Sequence, residues 1–340
     1  MEICFPTVIG NDKLKRRLAA EIENDRFPHA YILAGRDGSG KMTIAMQIAA
    51  ALACKNKHTL PCGECDSCRK ILGGFSPDVF VIRKETDKKE FSVSLIREIR
   101  DGLYIAPNEL DKRVYILEHT ELMNASAQNA FLKMLEEPPH YAVFLLLCSN
   151  VAGLLDTIKS RAPILYTEAL PQSDVRAYLL EHSPRAREMA ASDPEKLASV
   201  LLSAGGSIGE AMFLCEDAEK YNAARELTYT VLDALTAPAA AGLGLLCDTL
   251  PAQSDALCEW LGMLQRAFRD VAVLQKAPDA APLFFESRDR AETYTMKITV
   301  AKAISVIEAI DRLLADLRLN MDARLAAVSL MDDMRSIMMN

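Results

Sequence analysis

A glycine-rich segment that ends in lysine constrains the fold of this chain more than any other feature. The segment spans residues 35–41, Gly-Arg-Asp-Gly-Ser-Gly-Lys, between an apolar run at residues 29–34 and an alanine-rich stretch at residues 42–53. A strand, a glycine-rich turn and a helix form the context that a phosphate-binding loop requires. Backbone N–H groups of such a loop converge on one anion, and the helix dipole adds to the field. The pattern predicts a phosphate loop built from Gly35, Gly38, Ser39, Gly40 and Lys41, with the Lys41 ammonium reaching the β- and γ-phosphates.

The residue after the lysine departs from this pattern. A hydroxyl normally stands at that position to bind Mg²⁺, and this chain has Met42 instead. Thr43 lies one residue further along, about 100° around the helix, and is expected to point elsewhere. We keep both residues in the predicted nucleotide-binding set, but efficient Mg²⁺-dependent hydrolysis is not expected. The alternative is a glycine-rich turn that never binds nucleotide.

The order of apolar runs and helical patterns predicts an α/β domain followed by helices. Strand-like runs occur at residues 78–82, 113–118, 142–147 and 164–166, with helical periodicity between them. This alternation favours a parallel sheet flanked by helices, with ligands at the carboxyl ends of the strands. After about residue 171 the sequence is helical to its end. We predict a phosphate-loop core over residues 1–166, a small helical domain over 167–215 and a second helical domain over 216–340.

Two further places are candidates for the nucleotide site. The run at residues 113–118 ends in Glu118 and is followed by His119. In a phosphate-loop ATPase such a strand ends in one or two carboxylates, which orient Mg²⁺ and polarise water. Glu118 could orient Mg²⁺. His119 either takes the place of the carboxylate that polarises water or is a surface residue. Near the N-terminus, Val8 and Ile9 either line an adenine pocket or pack under the sheet.

Four cysteines cluster behind the loop helix. Cys54, Cys62, Cys65 and Cys68 follow the spacing C-x7-C-x2-C-x2-C, with Pro61, Gly63 and Asp66 supplying turns between them. Four thiolates at such a spacing can surround a tetrahedral Zn²⁺ ion. The spacing therefore predicts a structural zinc knuckle that is too short to be a domain, and four free thiols are the alternative.

Composition excludes several classes of protein. The 340 residues carry a net charge of −8, and their hydrophobic runs fall short of the ~20 residues that a membrane span needs. The N-terminus has neither the basic region nor the apolar core of a signal peptide, so we expect a cytoplasmic protein. A protein that grips DNA by itself usually presents a basic face. The acidic balance therefore disfavours a stand-alone DNA-binding protein.

Taken together, these motifs resemble the AAA+ subunits of the bacterial DNA polymerase III clamp loader. The resemblance covers most of the first 210 residues and is weaker in the C-terminal helices. It rests on these segments: Val8–Gly10, His29–Tyr31, the phosphate loop, the four-cysteine knuckle, Asn129–Pro139, which contains Leu-Glu-Glu-Pro-Pro, and Ile158–Arg161. It implies an AAA+ core, a helical lid over 167–215 and a helical collar over 216–340 that mediates oligomerisation. It also implies gamma/tau and delta subunits as partners, and contact with the sliding clamp and primed DNA mainly through the complex.

Subunits of this family are either ATP-hydrolysing motors or degenerate partners, and this sequence lacks parts of the motor. It departs from the motor pattern at Met42, at Glu118-His119 and at Gly209, where the resemblance places the arginine of the second sensor. Each of these departures removes a group that would neutralise or orient the γ-phosphate. We therefore expect a subunit with weak or no ATPase activity of its own, which could still bind ATP or ADP with or without Mg²⁺. A short gamma/tau-type ATPase that tolerates Met42 is the alternative.

One residue to which the resemblance gives a role in catalysis is present in this sequence. Ser160-Arg161 matches the family's trans-acting arginine motif, although Ala162 replaces the usual cysteine after it. The resemblance implies that Arg161 reaches into the ATP site of a neighbouring motor subunit, where a guanidinium can fork onto phosphate oxygens. An arginine that merely caps the end of a helix is the alternative.

Overall fold

The computed structural model describes residues 2–3, 5–56, 59–83, 91, 93–216, 218–237, 243–280, 282–285, 288–318 and 321–339. The chain divides into two compact units. The first comprises residues 1–175 and 206–210, and the second comprises residues 176–205 and 211–340. The finer division into domains at residues 1–166, 167–215 and 216–340 stays a prediction.

The first unit alternates strands with helices, as the sequence predicts. Its strands are β1 (Glu2–Ile3), β2 (Ala30–Ala34), β3 (Thr59–Leu60), β4 (Val79–Ile82), β5 (Arg113–Leu117), β6 (Ala142–Cys148) and β7 (Ile164–Tyr166). Its helices are α1 (Asp12–Glu23), α2 (Lys41–Ala53), α3 (Asp66–Leu72), α4 (Val93–Leu103), α5 (Ala125–Glu136), α6 (Asp156–Lys159) and the start of α7 (Gln172–His182).

Five of these strands form a parallel sheet in the order β4-β5-β6-β2-β7. The central strands β2, β5 and β6 are buried along their whole length because helices cover both faces of the sheet. Side chains alternate between the two faces: Leu33 and Leu145 belong to one core, whereas Ile32 and Phe144 belong to the other. The predicted parallel sheet is confirmed, and the carboxyl ends of β2, β5 and β6 lie along one edge.

Two helices of the first unit position the candidate site. Helix α2 begins at Lys41, directly after Gly40, whose φ of +85° is a conformation that glycine adopts without strain. Its alanine-rich sequence is buried on most sides, which holds the loop against the sheet. Helix α5 begins after Asn124, whose side chain accepts a hydrogen bond from the N–H of Ala127, and it ends shortly before Pro138 and Pro139.

The second unit is helical in its described part. It holds the rest of α7, α8 (Pro184–Ser192), α9 (Pro194–Ala204), most of α10 (Ile208–Glu216), α11 (Ala218–Thr236), α12 (Ser254–Leu274), α13 (Arg288–Thr295), α14 (Val300–Arg318) and α15 (Ala323–Met339). The buried carboxylate of Asp270 accepts hydrogen bonds from the N–H groups of Leu283 and Phe284, at 2.7 Å each, and so ties α12 to the chain before α13. None of the helices in the described residues is both long and apolar enough to span a bilayer.

Candidate functional site

The phosphate loop binds its own lysine. The Nζ atom of Lys41 donates hydrogen bonds to the carbonyl oxygens of Gly35, at 2.6 Å, and Arg36, at 2.9 Å. It also lies 3.3 Å from Oδ1 of Asp37, and the lysine side chain is only 10% exposed. The three oxygens satisfy the three N–H donors of an ammonium group. Lys41 would have to exchange these contacts in order to bind a phosphate.

A segment far along the chain lies directly on this loop. Residues 206–210, which belong to the first unit, contact the loop through two hydrogen bonds. The N–H of Gly209 donates to the carbonyl oxygen of Gly38 at 3.0 Å, and the hydroxyl of Ser207 donates to that of Asp37 at 3.1 Å. A Cβ atom added to Gly209 would lie 2.5 Å from the Cα atom of Gly38, so the two glycines pack backbone against backbone. This contact joins the start of α10 to the loop. It is made by Gly209, the residue that stands where the resemblance places the arginine of the second sensor.

The side chains next to Lys41 offer little to a magnesium ion. Met42 is half-buried and packs against the core under α2, whereas Thr43 is exposed, as its position on the helix predicts. The hydroxyl of Ser39 accepts a hydrogen bond at 2.8 Å from the hydroxyl of Thr167, which follows β7. Because position 42 has no hydroxyl, the loop lacks the side chain that usually binds the Mg²⁺ ion of a Mg²⁺–nucleotide complex.

Val8 and Ile9, the pair predicted to line an adenine pocket, differ in burial. Val8 is buried in the core cluster that also contains Leu14 and Leu18 of α1. Ile9 is half-buried, and its carbonyl oxygen accepts a hydrogen bond from the side chain of Asn11 at 3.1 Å. The packing of Val8 is that of an ordinary core residue, and a role of this pair in binding adenine stays a prediction.

Glu118 ends β5 at the expected edge of the sheet but lies in an ion pair. One of its carboxylate oxygens accepts a hydrogen bond of 2.7 Å from Nε of Arg83, which follows β4. Glu118 is mostly buried, whereas Arg83 is largely exposed. A metal ion would have to compete with this guanidinium for the carboxylate, so the contact disfavours the predicted role of Glu118 towards Mg²⁺.

Sequence reasoning missed a second acidic residue at this edge, Glu121. Its carboxylate is almost fully buried, lies 3.5 Å from Nδ1 of His119 and accepts hydrogen bonds from the backbone N–H and the hydroxyl of Ser149. Burial tends to raise the pKa of Glu121, but the hydrogen bonds from His119 and Ser149 outweigh it and lower that pKa. The same contact raises the pKa of His119. A buried carboxylate thus links the ends of β5 and β6, and the only signal for it in the sequence was its position three residues after Glu118.

Arg161 presents its guanidinium at the surface of the first unit. It follows α6, and its side chain is 36% exposed. Its Nη2 atom lies 2.8 Å from Oε1 of Glu136, and Nη1 donates to the carbonyl oxygen of Thr157 at 3.0 Å. The charge is therefore accessible and oriented, which a trans-acting arginine requires.

The four clustered cysteines form a site that could hold a metal ion. Their four Sγ atoms all lie within 4.8 Å of one another. The Sγ atoms of Cys62 and Cys68 are 4.0 Å apart, close to the ~3.8 Å that two sulfurs have when each is ~2.3 Å from a tetrahedral Zn²⁺. Cys54 follows α2, whereas Cys65 and Cys68 stand at the start of α3, so the cluster ties these two helices together.

Backbone donors surround these sulfurs. The N–H groups of Cys62, Cys65 and Cys68 point at the Sγ atoms of Cys54, Cys62 and Cys65, at 3.4, 3.3 and 3.5 Å. The N–H groups of Cys65 and Glu64 lower the pKa of Cys62 to about 6, whereas burial raises the pKa of Cys54 and of Cys68. N–H groups that point at thiolates are the outer-shell contacts expected around a metal bound by sulfur.

The fold and the loop define the class of this protein. The first unit is an AAA+-like phosphate-loop domain, because the loop strand β2 lies between β6 and β7 of a parallel sheet and the glycine-rich loop follows at its carboxyl edge. The second unit supplies the C-terminal helices. A family profile described as DNA polymerase III, delta subunit, matches residues 10–171. Over these residues the chain is similar to subunits of the DNA polymerase III clamp loader.

Individual relatives include both kinds of subunit. The DNA polymerase III subunit delta' of Yersinia pestis is 34% identical over 194 residues, which cover 57% of each chain. Subunit tau of Escherichia coli is 33% identical over 215 residues, which cover 63% of this chain and 33% of tau. The chain thus spans just over half, or only a third, of the length of these relatives. A solved structure, a gamma subunit-related protein from Thermotoga maritima, covers 94% of this chain and 99% of its own at 19% identity, with a TM-score of 0.45.

The contact between Gly38 and Gly209 generates a test. Gly209→Ala is expected to lower the free energy of unfolding of the first unit by about 1–3 kcal/mol, because the added methyl group overpacks the loop. The measurement is urea unfolding followed by far-UV circular dichroism, together with hydrogen exchange at residues 35–40. Gly102→Ala is the matched control: an added Cβ at this site in α4 meets no atom within 4 Å. Gly102→Ala should be neutral or stabilise the helix by up to about 1 kcal/mol. Unchanged stability and exchange in Gly209→Ala would contradict the described contact.

Proposed function

We propose that this chain acts as the delta-prime type of subunit in a DNA polymerase III clamp loader. In this proposal it assembles with gamma/tau-type and delta-type subunits, contributes to loading the sliding clamp on primed DNA, and hydrolyses little or no ATP itself. The observation that carries the proposal is the closed phosphate loop, in which Lys41 binds loop oxygens and Gly209 packs on Gly38. Such a loop suits a rigid partner better than a motor.

Three further features support weak or absent hydrolysis. Position 42 lacks a hydroxyl, Glu118 is paired with Arg83, and His119 is turned towards Glu121. Each feature removes or occupies a group that would otherwise orient Mg²⁺ or water. Since a single preorganised donor is worth about 10²–10³ in rate, several such losses together leave little catalysis.

A gamma/tau-type ATPase remains the second candidate. The relatives include tau subunits, and the glycine-rich loop with Lys41 is intact in sequence. For this function Lys41 would have to leave its loop oxygens and residues 206–210 would have to move away from Gly38. The two candidates differ in whether the purified chain alone hydrolyses ATP in the presence of Mg²⁺.

Arg161 is the residue through which the chain would still contribute to catalysis. In the proposed assembly its guanidinium reaches a phosphate in the ATP site of a neighbouring motor subunit. Its exposure and its attachment to the end of α6 support this role. The collar and lid, proposed over residues 216–340 and 167–215, would hold the chain in the ring, and the assembly would work in the cytoplasm.

A trans-acting role for Arg161 predicts a loss of turnover in the assembly only. Arg161→Ala should leave the fold unchanged and lower ATP turnover of the reconstituted loader at least about tenfold, because it removes one preorganised donor. The measurement is steady-state ATP hydrolysis by a loader reconstituted with gamma/tau-type and delta-type subunits, at saturating clamp and primed DNA. Arg97→Ala, which removes an exposed arginine of α4, is the control and should retain full turnover. Full turnover in Arg161→Ala would refute the role.

We also propose that the four-cysteine cluster binds one structural Zn²⁺ ion. Four sulfur ligands leave no coordination position for water, so the ion would brace α3 against α2 rather than take part in a reaction. A chelator is expected to remove the metal and to increase hydrogen exchange in residues 59–72 before it affects the sheet. Metal analysis should find about one zinc per chain in the purified protein and none in Cys65→Ser. Cys215→Ser, outside the cluster, should keep the ion. Purified protein without bound zinc would contradict the assignment.

A further inference from the structure

The end of helix α5 holds the guanidinium of Arg161. Oε1 of Glu136, the last residue of α5, accepts a hydrogen bond of 2.8 Å from Nη2. The Nη1 atom donates to the carbonyl oxygen of Thr157 at 3.0 Å and lies 3.4 Å from the hydroxyl of Ser160. The arginine is therefore held from two sides, by the short helix that it follows and by a neighbouring helix.

Glu136 is itself well placed to act as a fixed support. Helix α5 is anchored in the core by Phe131, Met134 and Leu135, all three of them almost fully buried. The helix ends at Glu136 because Pro138 and Pro139 follow. A carboxylate at the end of a rigid element can fix a long side chain that would otherwise lose rotamer entropy on binding a partner.

The contact leaves part of the guanidinium available. The hydrogen bond joins one carboxylate oxygen to Nη2, and the other bonds within the described part of the chain use Nη1. A guanidinium has five N–H donors, so the Nε–H and one N–H of Nη2 are not used by these bonds. N–H donors of an arginine can bind the oxygens of an anion. Glu136 therefore orients the group while donors remain for a phosphate.

We propose that Glu136 is a positioning residue for Arg161. It holds the guanidinium in the orientation that serves a phosphate of the neighbouring subunit, so the subunit enters the assembly with this side chain already ordered. The inference rests on the proposed trans-acting role of Arg161. It adds a residue that never touches the nucleotide and acts only through the arginine.

Glu136→Gln tests the proposal in the reconstituted loader. The amide keeps the shape of the side chain but loses its charge, so the maximal rate of ATP hydrolysis should fall about two- to fivefold, the range for a half-exposed ion pair. The KM for ATP should not change, because Glu136 does not contact the nucleotide. Glu137→Gln is the matched control, since Glu137 is the next residue, is exposed and carries the same charge. It should retain full turnover.

The Arg161→Ala background separates positioning from a structural effect. If Glu136 acts only through the arginine, Glu136→Gln should have no further effect in a chain that already carries Arg161→Ala. Unchanged or increased turnover in Glu136→Gln, or an equal loss in both backgrounds, would overturn the proposal while leaving the role of Arg161 intact. Full turnover in Arg161→Ala alone would overturn both.

Discussion

The ammonium group of Lys41 is held by oxygens of the loop that it follows, and the proposed function depends on this contact. In a working phosphate loop the lysine is available to the β- and γ-phosphates. In this chain it is buried against two carbonyl oxygens and a carboxylate, while Gly209 covers the loop at Gly38. The glycines still give the loop its shape, but the ammonium group of Lys41 is bound by oxygens of residues 35–37.

The remaining features of the first unit also support a subunit that hydrolyses little ATP itself and acts on a neighbouring subunit. The cysteine cluster ties α3 to α2, the helix that carries the loop. Glu121 joins the ends of β5 and β6 where a motor would place groups that sense phosphate or activate water. Arg161, in contrast, is partly exposed and is oriented by its neighbours. Lys41 and Glu118 are thus bound by groups of the chain itself, whereas the ion pair of Arg161 with Glu136 leaves its guanidinium partly exposed.

Much of this could be predicted from the sequence because the signals are local. Apolar runs placed β2, β4, β5, β6 and β7, and the spacing of the four cysteines placed their cluster. The contacts that decide the chemistry could not be predicted, because they join distant parts of the chain. The folded chain brings together Gly38 and Gly209, Arg161 and Glu136, and Ser149 and Glu121. A glycine at position 209 indicated a lost sensor, but nothing in the sequence indicated that its backbone would pack on the loop.

Phosphate release by the purified chain is the most direct test of the closed loop. The chain would be incubated with ATP and Mg²⁺ in the absence of any other subunit, beside Lys41→Ala. The account predicts that both proteins release phosphate at the background rate, because the lysine is already bound within the loop and no hydroxyl follows it. Magnesium-dependent release that is well above background and is abolished in Lys41→Ala would contradict it.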